Sequence, residues 1–307
     1  MREAATSAVV VAERVLGPLA RRDAPLGART TYRVGGRAAL FVELVDEADL
    51  ATVVDALCAS DAEVLVLGKG SNCLVADAGF GGVVISLGEP FSAITIDPER
   101  QEVSAGGGVA LPLLARRCAA AGATGLEWAV GIPGSVGGAV RMNAGGHGAE
   151  TAERLVSARV VRLDDGRDET FDVGELDLSY RHSAIGPGDL VLGARFAVER
   201  GDPRSSGAEI DRIVGWRRAH QPGGRNGGSV FTNPPGDSAG RLIDVAGLKG
   251  HRIGSAAVSD KHANFIQVDE GGSADDVRRL IDEVATEVER RLGVRLEPEL
   301  RLIGFAP

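Results

Sequence analysis

Between Gly131 and Gly146 the chain reads GIPGSVGGAVRMNAGG, six glycines in sixteen residues with Ser135 and Asn143 among them. Glycine loses the most backbone freedom on folding and offers no side chain to pack, so so dense a run predicts neither a good helix nor a well-packed strand. Its use is close approach, to a ligand or at a turn where a side chain would clash. A second stretch of this kind, Gly68-Lys69-Gly70-Ser71-Asn72, follows the apolar run Val64–Leu67. Read singly, it is as much a tight turn as a cradle. Taken together, two separated Gly/Ser/Asn loops point to a phosphate-bearing ligand held by main-chain N–H groups. Neither familiar nucleotide fingerprint is present: G-x-G-x-x-G needs glycine where Cys73 stands, and the P-loop GK[ST] ending is missing.

A chain of 307 residues has room for two or three domains. Its net charge of −9 argues against a nucleic-acid partner, which would favour a basic face. Cys58, Cys73 and Cys118 are widely spaced with no CxxC pair, so neither a metal site nor a disulfide framework is expected. That pattern suits a reducing compartment. The apolar run Ala8–Ala12 is broken by Glu13 and Arg14, too early for a signal-peptide core. No stretch approaches the roughly 18 apolar residues that span a bilayer. A cytoplasmic protein without a membrane partner is expected.

Periodicity predicts a helix within residues 1–30 ended by Pro25 and Gly27, a strand over Ala38–Leu44, and a helix through Leu50, Val53, Val54 and Leu57. Strands over Val64–Leu67 and Gly82–Leu87 follow, then Val103 leading into Gly106-Gly107-Gly108, and a helix over Leu111–Ala121. Ala158–Leu163, Asp168–Phe171 and Leu190–Val198 read as strands. The polar break Asp202–Gly207 suggests a domain boundary, with a helical stretch starting near Ile210. A long amphipathic helix spans Ala274–Leu292, and a closing strand Leu296–Phe305 would carry Glu297 and Glu299 on one face.

Candidate chemical groups are few. Ser229 lies in GGSVFTNP without a GxSxG elbow, and local sequence alone favours a serine in a polar turn. Arg181, in Tyr180-Arg181-His182-Ser183, is either an anion clamp or a solvated cation. The five histidines show no metal spacing, and His262 reads as structural.

These pieces, in order, are Arg33-Val34-Gly35-Gly36, LGKGSN, Asp77-Ala78-Gly79-Phe80, Gly125-Leu126-Glu127, the 131–146 segment and Tyr180-Arg181-His182-Ser183. GSVFTNP, Leu242-Ile243, Gly247-Leu248-Lys249-Gly250 and Glu299-Leu300-Arg301 complete them. Together they resemble the UDP-N-acetylenolpyruvoylglucosamine reductase (MurB) family. The resemblance implies an α+β fold: a two-part FAD-binding module of the vanillyl-alcohol-oxidase (PCMH) type plus an α/β substrate-binding domain. It suggests FAD-binding subdomains over 1–90 and 91–205, the second rejoined by 295–307, and a substrate domain over 206–294. FAD and NADPH are the implied cofactors, and a UDP-sugar enolpyruvate the substrate. Arg33, Gly68, Lys69, Gly70, Ser71, Asn72, Gly131, Ile132, Pro133, Gly134, Ser135 and Gly138 would hold FAD, and Tyr180, Arg181 and Asn233 the substrate. Arg181 and Glu299 match the family's pair that steadies an enolic intermediate, and Ser229 matches its proton donor.

Two departures stand out. Thr232 occupies a position where the family commonly has lysine, leaving Arg225 or Lys249 as possible diphosphate contacts. The interval from Arg181 to Ser229 is too short for the loop whose tyrosine clamps substrate in one branch, which points to the second, loop-lacking type.

Overall fold

The computed structural model describes residues 2–306. The chain forms two compact units. The first takes in the chain up to Asp23, Ala39–Lys69 and Gly81–Arg217; the second takes in Ala24–Ala38, Gly70–Phe80 and the chain from Arg218 onward.

The larger sheets of the first unit are two. One has the strand order Ala20–Pro25, Arg37–Leu44, Phe80–Leu87, Val64–Val66. The helices Arg2–Leu16 and Asp49–Ser60 bury Ala12, Leu16, Leu50, Val53 and Leu57 against Leu40, Val42, Val83 and Ile85 of that sheet. The other is antiparallel, in the order Asp168–Asp172, Leu155–Arg162, Asp189–Ala197, Glu102–Gly106, Ile94–Asp97. Alternation along its strands divides side chains between two cores. Val160 and Val191 pack with the helices Leu111–Ala120 and Val136–Met142, while Val161, Leu190 and Leu192 join the core of the first sheet.

In the second unit Arg252–Ile253, Ala256–Val258 and Ile266–Val268 form an antiparallel sheet. The helix Ala274–Leu292 contributes Val277, Leu280, Ile281, Val284 and Val288 to a core with Tyr32, Leu74, Phe231 and Leu300. Ser273 caps this helix through its hydroxyl, and Gly293 closes it at φ +70°. A second cap comes from far away in sequence. The Asp77 carboxylate accepts from the N–H groups of Ala274 at 3.0 Å and Asp275 at 3.2 Å, and from the Ser273 hydroxyl.

Several expectations are corrected. The first helix stops at Leu16, because Gly17 turns left-handed at φ +52° and Pro18 cannot continue it; a strand, Ala20–Pro25, follows. The Asp202–Gly207 break is a helix start instead of a boundary. The Asp202 carboxylate accepts from the N–H groups of Arg204 and Ser205, Pro203 takes the first helical position, and the helix runs to His220. The division of the chain falls at Arg217, within that helix. The closing strand shrinks to Arg301–Ile303 and pairs in parallel with Cys73–Val75, instead of rejoining residues 91–205. Pro298, which has no N–H to donate, precedes it beside Phe231.

The glycine-dense segment contains a helix after all, Val136–Met142. Its first amides are bonded by tertiary partners: Val136 N–H to Val109 O at 2.8 Å, Gly137 N–H to Gly107 O at 2.9 Å, and Gly138 N–H to Ser135 Oγ at 3.3 Å. A side chain at Gly137 would press on the carbonyls of Gly107 and Val191, each 3.3 Å from its Cβ position. Close packing replaces propensity here. No helix among the described residues is long and apolar enough to cross a membrane.

Candidate active site

An open cleft lies within the first unit. One wall comes from Val66, Leu67, Gly68 and Lys69 with Ser86 and Leu87; the other comes from Gly107, Gly108, Ser135, Gly137, Gly138, Arg141 and the stretch Asp189–Val191. The two glycine loops meet here. A Cβ on Gly68 would stand 2.3 Å from Ser135 Oγ, and one on Gly107 would stand 1.9 Å from Val191 O. A cradle walled largely by bare backbone, with Lys69, Arg141 and Asp189 as its charged lining, suits a flat group such as FAD that is held by main-chain N–H groups. The first three amides of the Val136–Met142 helix are all bonded within the protein.

Of the residues expected to hold FAD, Gly68, Lys69, Ser135 and Gly138 line this cleft. Gly134 O accepts from Leu111 N–H at 3.0 Å and Ile132 N–H donates to Ala129 O at 3.1 Å, which fixes the segment around Pro133. Gly131 makes room for the His147 ring, whose Cδ2 would be 2.8 Å from a Cβ there. The Gly68–Asn72 loop itself crosses from one unit to the other after Lys69. Gly70 O accepts from Thr31 N–H at 3.0 Å, and Asn72 Nδ2 donates to Glu299 O at 3.2 Å; Ser71 lies half-buried between them. Arg33 is exposed and left-handed at φ +55°. Ser86, Gly107, Gly108, Arg141 and Asp189 were not anticipated. The Gly106–Gly108 run after a strand was a usable signal; the others carry none in local sequence.

Arg181 sits in a tight turn at φ +58°. Ser179 and His182 close the turn by exchanging backbone bonds of 3.2 and 3.0 Å. The half-buried guanidinium lies over the Tyr180 ring, 5.0 Å from its centroid, and Nη2 donates to Gly145 O at 3.3 Å. Ser183 Oγ donates to Arg141 O at 2.7 Å, anchoring the turn's far side to the helix end.

Ser229 and Glu299 belong to the second unit, where a short ladder joins Val230, the residue after Ser229, to Glu299. Glu299 N–H donates to Val230 O at 2.8 Å, and Thr232 N–H to Glu297 O at 3.0 Å. Across from this ladder Asn264 acts as a second strand: its carbonyl takes Val230 N–H, while its side chain bonds both Phe231 N–H at 3.0 Å and Phe231 O at 2.8 Å. Both Ser229 and Glu299 are half-buried. Beneath them Gly227 leaves space for Tyr32, whose ring would be 2.7 Å from a Cβ there. Burial pushes the Tyr32 hydroxyl well above its ordinary pKa, opposed by the Gly227 backbone.

The remaining candidates have visible occupations. Thr232, in the place of the family's lysine, donates through Oγ1 to Glu297 O at 3.2 Å. Arg225 is ion-paired with Glu270 and Lys249 with Asp244, each at 2.7 Å. Asn233 is exposed, with Oδ1 accepting from Ala239 N–H at 3.0 Å. His262 packs edge-on against Phe265, and burial, helped by the Lys249 charge, holds its imidazole below its ordinary pKa. Glu127 is structural: burial would raise its carboxyl, but bonds from the Ser206 and Thr124 hydroxyls at 2.5 and 2.6 Å, and from Gly125 N–H, outweigh it and hold the pKa low.

A family model described as an FAD binding domain matches residues 38–171. With the cleft described above, the fold defines an FAD-dependent oxidoreductase, an α+β protein whose cofactor module is of the PCMH type. A second model, for the C-terminal domain of UDP-N-acetylenolpyruvoylglucosamine reductase, matches residues 220–303. The chain is 42% identical to UDP-N-acetylenolpyruvoylglucosamine reductase 2 of Symbiobacterium thermophilum, over 94% of this chain and 93% of that protein. It is 40% identical to the reductase of Erythrobacter litoralis over 98% and 93% of the two chains. The crystal structure of the reductase MurB from Thermus caldophilus superposes with a TM-score of 0.79 at 36% identity, covering 92% of this chain and 99% of that one. The chain belongs to the UDP-N-acetylenolpyruvoylglucosamine reductase family.

Proposed function

We propose that this chain reduces the enolpyruvyl ether of UDP-N-acetylglucosamine to UDP-N-acetylmuramate, a step of peptidoglycan synthesis, with NADPH as reductant and FAD as bound carrier. The observation that carries the reading is the bond from Glu299 N–H to Val230 O, which holds the backbone of Glu299 against the residue that follows Ser229. Gly68, Lys69, Ser135 and Gly138 of the cleft, with Arg33, Gly70, Ser71, Asn72 and Gly131–Gly134, would hold FAD. The chemistry that FAD supplies when bound is two-electron transfer from NADPH to the enol ether.

Reduction at C3 of the enol ether sends negative charge toward C2 and the carboxylate. Arg181 stabilises that charge as a preorganised cation, with Tyr180 and Asn233 as further substrate contacts. Ser229 donates its hydroxyl proton to C2. An alcohol is a poor acid in water, but the carbanion is strongly basic and the ladder fixes the hydroxyl's carrier strand. Glu299 assists in its protonated form or through a bound water, since a bare carboxylate would repel an enolate. The free state of Cys58, Cys73 and Cys118 supports a cytoplasmic setting.

The test is NADPH oxidation by the yellow holoenzyme. Consumption strictly dependent on the enolpyruvyl substrate, and lost in Ser229→Ala with flavin still bound, is the expected result. Full consumption without that substrate would sink the reading.

A further inference from the structure

The Val136–Met142 helix touches a candidate functional element at each end. Ser135, its N-cap, lines the cofactor cleft. Asn143, its C-cap, is fully buried and left-handed at φ +38°, a conformation asparagine tolerates better than most residues. Capping alone needs only that backbone geometry. The side chain does more: Nδ2 donates to Ser179 O at 3.0 Å, and Oδ1 accepts from Ala152 N–H at 2.9 Å.

Ser179 opens the turn that carries Arg181. Between Asn143 and Ala152 the chain makes a hairpin, Gly145–Gly146 against Ala149–Glu150, turning through His147 and Gly148 at positive φ. Gly145, whose carbonyl receives Arg181 Nη2, is locked in place, since a Cβ on it would be 2.8 Å from Ala149 O. One buried amide therefore ties together the helix end, the return of the hairpin and the start of the arginine turn. The backbone of that turn and the tip of the Arg181 side chain are both referenced to it.

We propose that Asn143 is a positioning residue for Arg181, setting the guanidinium relative to the cleft through the Ser179 carbonyl and the Gly145 hairpin. This rests on the reading of Arg181 as the cation that stabilises the reduced enol ether.

The experiment uses holoenzyme and separates the two half-reactions by rapid mixing. Asn143→Gly keeps the left-handed cap and removes both side-chain bonds. Asn143→Asp keeps the acceptor for Ala152 and, read at alkaline pH where the carboxyl is ionised, has no donor for Ser179. For both, flavin content and flavin reduction by NADPH should stay within about twofold of wild type. Reoxidation by the enolpyruvyl substrate should slow by about tenfold to a hundredfold, the usual effect of misplacing a reacting partner by about 1 Å. Amide hydrogen exchange across residues 176–184 should quicken. In an Arg181→Met background, adding Asn143→Gly should change reoxidation by no more than about twofold, because the route is through Arg181.

Wild-type reoxidation in the Asn143 variants, equal slowing of both half-reactions, or a full further loss in the Arg181→Met background would each overturn the proposal. If Asn143→Gly does not retain flavin, Asn143→Asp decides by the same criteria. Full-speed reoxidation by Arg181→Met alone would instead remove the assignment of Arg181.

Discussion

Each unit buries an asparagine amide next to a residue assigned to chemistry, and the two are used in different ways. Asn264 imitates a strand. Its side chain meets the N–H and the C=O of Phe231, its own carbonyl meets Val230 N–H, and the 297–300 segment holds the other side of the same strand. Asn143 instead makes one bond to the turn it steadies, and that turn's other restraint to the helix end is Ser183 Oγ on Arg141 O. The Ser229 strand is fixed by a backbone ladder with a side-chain supplement. The Arg181 turn closes on its own backbone bonds and is tied to the helix end by the Asn143 and Ser183 side chains. Damage at Asn264 should therefore appear first as lost stability, and damage at Asn143 first as lost chemistry.

The largest expected effect bears on the chemical half of that contrast. Ser229→Ala should lower turnover by about 10²–10⁴-fold, the range for a positioned proton donor, with flavin content unchanged. Retained turnover would show that the well-fixed strand carries no reacting group. Next in size is Asn264→Ala, which leaves the N–H and C=O of a buried residue unsatisfied. A loss of about 2–4 kcal/mol in urea unfolding is expected, at about 1–3 kcal/mol for each stranded group less what relaxation recovers. A loss well under about 1 kcal/mol would erase the distinction between the two asparagines.

Smaller effects test whether the first unit relies on close backbone contact elsewhere. Gly107→Ala forces a methyl to within 1.9 Å of Val191 O unless the strand moves. Overpacking of this kind typically costs about 1–3 kcal/mol, and weaker flavin retention should accompany it. The mildest is electrostatic. Glu127 titrates below its ordinary 4.5 in the folded chain, so its contribution is present above that value and is lost as pH falls through the folded pKa. Urea midpoints between about pH 5 and about pH 3 should fall less steeply in Glu127→Gln than in wild type. Parallel slopes would mean that its hydrogen bonds carry no net linkage.

The Ala274–Leu292 helix was readable from its apolar period, and Ser273 and Gly293 cap it at the ends that period implies. The Val136–Met142 helix was not. Its glycines oppose helix, and the bonds that override them come from Gly107 and Val109, nearly thirty residues upstream. Asp202-Pro203 illustrates a different failure: the cap and first-turn proline were visible but read as a break. At the site, Gly68 and Ser135 were legible as two loops, while their meeting was not. Arg141 and Asp189 have no local signature, since each becomes a wall residue only once the Val136–Met142 helix is packed against the strand Asp189–Ala197. Asn143 was noted as one polar residue among glycines, and only the turn brought beside it gives its amide a purpose.

The Asp77 cap has a consequence for how the protein is made. The carboxylate that closes the last long helix sits 197 positions before the amide it receives. During synthesis Gly70–Phe80 is made long before Arg301–Ile303, the strand that pairs with Leu74 and its neighbours, and must wait for it. The second unit therefore cannot close until Arg301–Ile303 has been made. Until then an apolar strand and an unclaimed carboxylate stay exposed, so this part of the chain is where a chaperone would find its longest opportunity.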